Sequence, residues 1–326
     1  MRTYIIRRLL LLIPTLFLAT LIVFLMVRLI PGSIVDVMVG EMRHAAITDK
    51  AALLAELGLD VPILTQYGRW IGFLPQVDGS FSGIFQGDLG NSLWRGTPVI
   101  QDIGNRWPVT LELSLMALIV AQLIGLPIAI FSALRQDTWG DYIGRSFAIL
   151  CLAVPSFWLA TMIIVFPSMW WGYMAPLAII GFTENPIANL KQFIVPSIVL
   201  GMAMAGISMR MMRTMMLEVL RQDYIRTAWA KGLRERTIVV RHALKNALIP
   251  VVTLLGMMMP SVIAGSVIIE EIFTLPGMGR LIVESTTRRD YTIVSGVMLL
   301  YAAGIMLINL IVDLTYSYLD PRVHYK

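Results

Sequence analysis

The chain has 326 residues, 57% of them hydrophobic and only 14% charged, with a mean hydropathy of +0.75. An average soluble domain carries roughly a quarter charged residues, so the composition argues against a soluble enzyme or a disordered regulator. A single cysteine, Cys151, excludes an internal disulfide, a CxxC pair and a thiolate zinc site. The net charge of +5 is compatible with nucleic-acid binding until the charges are placed along the chain.

Six apolar runs are long enough to cross a hydrocarbon core as helices, at 9–30, 109–134, 143–170, 193–212, 248–269 and 293–316. Lipid offers the backbone no hydrogen-bond partners, so only helices or closed barrels span it, and barrel strands would alternate where these runs are continuous. Pro14, Pro127, Pro155 and Pro260 are expected within the spans as kinks. Arg7 and Arg8 precede the first run as they would a secretory signal. That run is longer than a signal core and has no A-x-A-like cleavage site, so it reads as a retained span. The expected fold is an all-α polytopic membrane protein with six transmembrane helices. Residues 1–30 form the N-terminal tip and first helix, 31–108 an external segment, 109–316 a five-helix core and 317–326 a tail.

Charge placement gives the orientation. With the N-terminus inside, the cytoplasmic segments hold sixteen cations: Arg2, Arg7, Arg8, Arg135, Arg145, nine from Arg210 to Lys245, Arg322 and Lys326. The short external loops hold four, Lys191, Arg280, Arg288 and Arg289. By the positive-inside rule both termini are cytoplasmic, and the basic excess reports topology rather than nucleic-acid binding.

The external segment 31–108 exceeds the length at which structureless loops become uncommon, so it should carry short helices. Thr48-Asp49 reads as a helix start and Gly58 as a stop. A second helix is expected from Asp60-Val61-Pro62 through Gln66-Tyr67 to Trp70-Ile71, followed by a loop punctuated by Gly79, Gly83, Gly87 and Gly90. The segment reads either as an outer docking surface or as a packed cap. On the other side, 213–247 is too long for a turn and too polar for lipid. Residues 218–230 are good helix formers, Gly232 falls where a left-handed stop would sit, and Arg234-Glu235-Arg236 lead into a second helical stretch to Leu248. Tyr224, Ala228 and Lys231 share one stripe, and Ile225, Trp229 and Gly232 another. Such an elbow is either an amphipathic interfacial helix on lipid phosphates or a knob for a cytoplasmic partner.

Signals for chemistry are sparse. There is no GxxxxGK[ST] phosphate loop, no HExxH and no GxSxG. His44, His242 and His324 all lie outside the spans, and no residue reads as catalytic or metal-binding. Ionisable groups in the spans sit near their ends. Arg28 is at the outer end of the first, Glu112 in the first turn of the second where the dipole favours an anion, and Asp313 shares a stripe with Asn309 and Tyr316. They read as anchors rather than a proton relay. Gln122 is the clearest mid-span polar group, either lining a path or bridging two helices. The methionines at 202, 204, 209, 211, 212, 215, 216 and 257–259 read as adaptable apolar filler.

Arg226-Thr227-Ala228-Trp229-Ala230-Lys231-Gly232-Leu233, followed by Arg241-His242-Ala243-Leu244-Lys245-Asn246-Ala247-Leu248-Ile249-Pro250, resembles the cytoplasmic loop of binding-protein-dependent ABC importer permeases. The chain as a whole is similar to the first (B-type) permease of the dipeptide/oligopeptide/nickel group. Tyr4-Ile5-Ile6-Arg7-Arg8-Leu9, Leu57-Gly58-Leu59-Asp60 with Gln66-Tyr67, Gly87-Asp88-Leu89-Gly90-Asn91-Ser92 and Pro108-Val109-Thr110-Leu111-Glu112-Leu113 fit it. So do Leu275-Pro276-Gly277-Met278-Gly279-Arg280, Arg289-Asp290-Tyr291, Asn309-Leu310-Ile311-Val312-Asp313-Leu314 and Asp320-Pro321-Arg322. Arg226-Thr227-Ala228 stand where the general importer loop has Glu-Ala-Ala. Leu244-Lys245 stand where it has Leu-Pro, and proline comes only at Pro250. Both departures fit the peptide subgroup.

The resemblance implies a type I ABC importer transmembrane fold in a bacterial or archaeal cell (inner) membrane, moving di- or oligopeptides or a related small solute inward by alternating access. It implies that Asp223, Tyr224, Ile225, Arg226, Thr227, Ala228, Trp229, Ala230, Lys231, Gly232 and Leu233 form a coupling helix docked on an ATPase subunit. The implied partners are a homologous second permease, two ATPase subunits that hold the ATP and Mg, an extracytoplasmic substrate-binding protein and membrane lipid. This chain would hold no cofactor and no ATPase site of its own. An ion-coupled secondary transporter and a non-transporting membrane scaffold or sensor are the competing readings from the residues alone.

Overall fold

A computed structural model of the chain describes residues 2–29, 51, 54–55, 57–172 and 179–319. Helices dominate the described residues, where pairing of extended chain is limited to the Asn91–Pro98 bridge. Ten helices are labelled in chain order: α1 Arg2–Arg28, α2 Ile63–Ile71, α3 Val99–Leu134, α4 Trp139–Ala153, α5 Ser156–Trp171, α6 Pro186–Leu220, α7 Asp223–Ala230, α8 Lys245–Ile272, α9 Met278–Thr287 and α10 Tyr291–Leu319. Five of the described helices are long and apolar enough to cross a membrane, or six when the bent pair α4–α5 counts as one span.

That bend corrects one expectation. The third run is not a kinked helix but two helices at 90°. Val154 is extended at φ −82°, ψ 119°, and Pro155 precedes the first residue of α5. Proline supplies no N–H and drives the residue before it out of the helical region, so α4 ends there and α5 restarts in a new direction. α3 begins at Val99 rather than 109 because its first turns are amphipathic, which average hydropathy does not register. Val99 and Ile103 are buried against Met278, Leu281, Ile293 and Val297 while Gln101 and Gly104 face out. Glu112 is therefore several turns inside α3 and outside the reach of the terminal dipole. Its Oε1 is buried without a hydrogen-bond partner among the described residues.

The chain divides into two compact units. One comprises Met1–Pro108 with Gly277–Leu307 and the other Val109–Pro276 with Ile308–Lys326.

In the first unit, α2 runs from Pro62 to Gly72 as the sequence predicts. It lies on the last turns of α1. Thr20 Oγ1 and Tyr67 Oη share a 2.9 Å hydrogen bond, and the Phe24 ring sits 5.2 Å from Tyr67 and 5.6 Å from Trp70. Arg28 places its guanidinium 5.1 Å from the Phe24 and Tyr291 rings. Gly58, at φ 64°, closes a Schellman stop with Leu59 N–H on Leu54 O at 2.8 Å and its own N–H on Ala55 O at 3.0 Å. The helix start expected at Thr48-Asp49 lies outside the described residues, as do the side chains of Asp313 and Tyr316 and residues 320–326.

In the second unit, α6 is the central post. Phe193, Val199, Met204, Met212 and Met216 are buried along it, so these methionines are core filler, whereas Met257 on α8 is exposed. Without much polarity difference between side chains and lipid, helices in membranes associate through close packing of small residues. Gly201 fits this rule, since a Cβ there would sit 2.5 Å from the Ala117 carbonyl oxygen on α3. Gly206 similarly faces the Ala148 oxygen of α4 at 2.9 Å. Gln122 bridges two helices, its Nε2 donating to Ser208 Oγ at 3.2 Å.

Candidate functional site

The helical loop between α6 and α8 is where the sequence predicts an elbow, and its residues build an outward-facing platform. α6 runs to Leu220 and stops at Arg221-Gln222, where the Gln222 N–H bonds Val219 O at 3.1 Å. The single helix expected over 218–230 is therefore two helices, and α7 starts afresh at Asp223 after an extended Gln222. Its stop is a Schellman motif. The Leu233 N–H reaches Ala228 O at 3.3 Å, the Gly232 N–H reaches Trp229 O at 2.9 Å, and Gly232 takes φ 74°. A side chain at Gly232 would meet nothing within 4 Å, so the glycine is there for its backbone angle and not for space.

Burial along α7 separates its two faces. Ile225 and Ala228, three residues apart, are buried in the core of the second unit. Asp223, Tyr224, Arg226, Thr227, Trp229, Ala230, Lys231, Gly232 and Leu233 are all exposed. Ala228, placed by its stripe with Tyr224 and Lys231, points inward instead, and Ile225 does not share the surface of Trp229. Among the described residues, this eight-residue helix is tied to the rest of the chain by two apolar anchors and a side-chain hydrogen bond from Asn246 Nδ2 on α8 to Tyr224 Oη at 2.8 Å. Asp223 and Arg226 stand 3.4 Å apart at 95% and 74% exposure, which adds almost nothing to stability.

Below α7, the chain takes one turn at Glu235–Thr237, a π-helical segment Ile238–Leu244 and then α8 without a break. The stretch expected to end at Leu248 is thus continuous with the fifth span. Ile238, Val239 and Ala243 bury the inner side of the π segment. π turns inside α-helices concentrate at functional positions. No residue pattern in the sequence marks this one.

Sequence reasoning missed three buried polar contacts. Glu270, fully buried on α8, accepts from Thr110 Oγ1 at 2.7 Å. Asp141, fully buried on α4, takes Arg213 Nε and Nη2 at 2.8 and 2.7 Å and a bond from Ser132 Oγ. Asp290 caps α10 and accepts from Ser92 Oγ at 2.6 Å and the Leu93 N–H at 3.3 Å, while Trp94 Nε1 donates to Arg288 O at 2.7 Å. The last contact joins Gly87-Asp88-Leu89-Gly90-Asn91-Ser92 to Arg289-Asp290-Tyr291. Those two motifs form a structural clasp, since every polar group named in it is hydrogen-bonded within the chain.

Five or six helices long and apolar enough to span a membrane, with a short helix on the basic loop between two of them, define a polytopic membrane protein. The profile of the family described as "binding-protein-dependent transport system inner membrane component" matches residues 125–325, and that of its N-terminal region matches residues 1–114. The chain is 38% identical to the dipeptide transport system permease protein of Escherichia coli strain K12 over the whole of both chains. It is 35% identical, again over the whole of both, to the glutathione transport system permease protein of Salmonella paratyphi A. A crystal structure of an amino acid ABC transporter with histidines shares the fold at TM-score 0.53 and 14% identity, covering 67% of this chain and 94% of that one. The chain belongs to the binding-protein-dependent transport family, within its dipeptide/oligopeptide branch. It is a multi-pass inner-membrane permease subunit of an ABC importer.

Proposed function

We propose that this permease carries di- or oligopeptides, or a closely related small solute, inward by alternating access, and that α7 is the helix through which ATP-driven movement reaches the bundle. Support for the peptide class comes from the dipeptide and glutathione permeases that match it end to end. Support for the coupling role comes from one observation, the short capped α7 whose outer face is exposed while Ile225 and Ala228 root it in the core. A partner pressing on that face would act on α8 through the π segment on which α7 packs and through the Asn246–Tyr224 bond.

In this reading two ATPase subunits hold ATP and Mg, a homologous permease completes the path, and an extracytoplasmic binding protein delivers the substrate. Both termini face the cytoplasm, as the sixteen-to-four distribution of counted cations supports. ATP then shifts the inward–outward equilibrium only as far as the assembled complex binds it differently in the two states. This chain carries transport and not hydrolysis.

The test uses Trp229→Asp and Leu233→Asp in the assembled importer reconstituted in liposomes. Both side chains are exposed, at 48% and 39%, so the chain's own stability should shift by no more than about 0.5 kcal/mol. Substrate-stimulated ATP hydrolysis and uptake should fall together by at least about tenfold, because a charge buried in a docking interface without a partner is costly. Unchanged coupling in both variants would sink the assignment of α7. Uptake by this chain alone under an ion gradient, or stable isolation with no ATPase bound, would overturn the importer reading in favour of a secondary transporter or a scaffold.

A further inference from the structure

Towards the C-terminal ends of α3 and α6 and beside the middle of α4, a cavity of about 200 Å³ opens between the three helices. Its wall is mainly apolar, with Ile128, Ala129 and Ala148 in it, yet three arginines, Arg145, Arg210 and Arg213, line it as well. The cavity belongs wholly to the second unit and is separate from the face presented by α7.

The arginines are unequally satisfied. Arg213 gives Nε and Nη2 to Asp141, and its Nε is also 3.1 Å from Ser132 Oγ. Asp141 further accepts from Ser132 Oγ and from the Asp137 N–H at 3.0 Å, which fills its oxygens. Arg145 is left short. Its Nη2 lies 3.4 Å from Asp141 Oδ2, and its Nε and Nη2 are buried with no hydrogen-bond acceptor among the described residues. The guanidinium rests 4.6 Å from the Tyr142 ring centroid instead. Arg210 has no carboxylate within ion-pairing distance among the described residues. Two of the guanidiniums, Arg213 and Arg145, thus share Asp141, already occupied, while Arg210 lines the cavity as an exposed residue. A buried donor without an acceptor costs free energy, and an arriving anion removes that cost.

We propose that this cavity holds the phosphate of an anionic membrane phospholipid, with Arg145 and Arg210 on the headgroup and an acyl chain on the apolar wall. Two features of the lipid match two features of the cavity. The guanidinium fork suits phosphate oxygens, and Ile128, Ala148 and the 61%-exposed Ile149 offer a hydrocarbon track beside it. Inorganic phosphate would use the first and gain nothing from the second. The position also fits, since basic pockets between spans on the loop-rich, cation-rich side are where anionic headgroups collect.

The experiment is native mass spectrometry of the assembled importer in detergent, titrated with phosphatidylglycerol, with phosphatidylcholine and with inorganic phosphate. Wild type should retain phosphatidylglycerol saturably and in preference to phosphatidylcholine. R145Q and R210Q leave the Asp141–Arg213 pair intact, and each should weaken retention roughly fivefold, the worth of one guanidinium at a membrane surface. T214W, which fills the cavity from an exposed position and removes no charge, should displace the lipid as well. It keeps the test alive should an arginine variant fail to assemble. Equal retention of the two lipids, or retention unchanged in R145Q and T214W, overturns the proposal. Displacement of the retained phosphatidylglycerol by inorganic phosphate overturns the lipid assignment and makes the site one for free phosphate.

Discussion

Replacing Gly201 with alanine tests how tightly α6 is seated. The added Cβ would lie 2.5 Å from the Ala117 carbonyl oxygen, 3.3 Å from its carbonyl carbon and 3.4 Å from the Ala121 Cβ. Carbon–oxygen contacts settle at about 3.3–3.6 Å, so the two helices must part by roughly 0.8–1 Å. The obstructing atom is backbone and cannot rotate aside. Two terms oppose each other. Alanine is favoured over glycine in a helix by about 0.8–1 kcal/mol, and overpacking costs about 1–3 kcal/mol. The overlap should win, for a net loss of up to about 2 kcal/mol. Separation of α3 from α6 would also stretch the Gln122–Ser208 bond, now 3.2 Å, beyond hydrogen-bonding range. Gly104, exposed on α3 with nothing within 4 Å, is the matched control and should show only the helical gain. Circular dichroism of the assembled importer through a denaturant titration in mild detergent, compared between variants, gives both numbers. If Gly201→Ala proved as stabilising as Gly104→Ala, close backbone packing would not be what seats α6.

Three further substitutions probe other contacts. Asp141→Ala strands the part-buried Arg213 and should cost about 3–5 kcal/mol, whereas the paired Asp141→Leu/Arg213→Met change should recover most of it; thermal unfolding in detergent compares them, and equal losses would mean the pair itself is stabilising. Asp290→Ala removes the cap of α10 and leaves Ser92 Oγ without its 2.6 Å acceptor, for an expected loss of about 1–3 kcal/mol and faster proteolysis of the segment around 92, while Asp290→Asn should lose less. Asn246→Leu deletes the 2.8 Å bond to Tyr224, should lower stability by only about 0.5–1.5 kcal/mol, and should reduce transport per ATP hydrolysed more than hydrolysis itself. A proportional fall in both would assign that bond to stability alone.

How much of this was legible in the sequence depends on the range of the interaction. The existence of the apolar spans, the Gly58 stop and the α2 helix Ile63–Ile71 are set by local hydropathy and backbone preference, and there the chain folds as its residues predict, the break at Pro155 and the early start of α3 excepted. Gly232 was recognisable for the same reason, since a helix stop needs only its own neighbours. Tertiary contact decided the rest. Ala228 is an inward anchor because α7 lies on the core, and a stripe counted along the helix has no sign that says which way it faces. Pro155 was visible, but a kink and a full break differ only in what the following residues pack against. Asp141 and Arg213 stand 72 residues apart, and Thr110 and Glu270 stand 160 apart. No local pattern relates such pairs. Ser92 and Asp290 both lie in quoted motifs, yet only the folded chain shows that those motifs exist for each other.

The π segment between α7 and α8 carries a mechanical implication. A π turn holds one residue more than the α turn it replaces, and such a surplus can be taken up or handed along the helix. Drawing Ile238–Leu244 into regular α geometry would shift everything on one side by a single residue, about 1.5 Å along the axis and 100° about it. The base of the fifth span is therefore threaded like a screw. Were a push on α7 to draw that surplus out, α8 would both translate and turn, and the side chains it presents would change identity along with position.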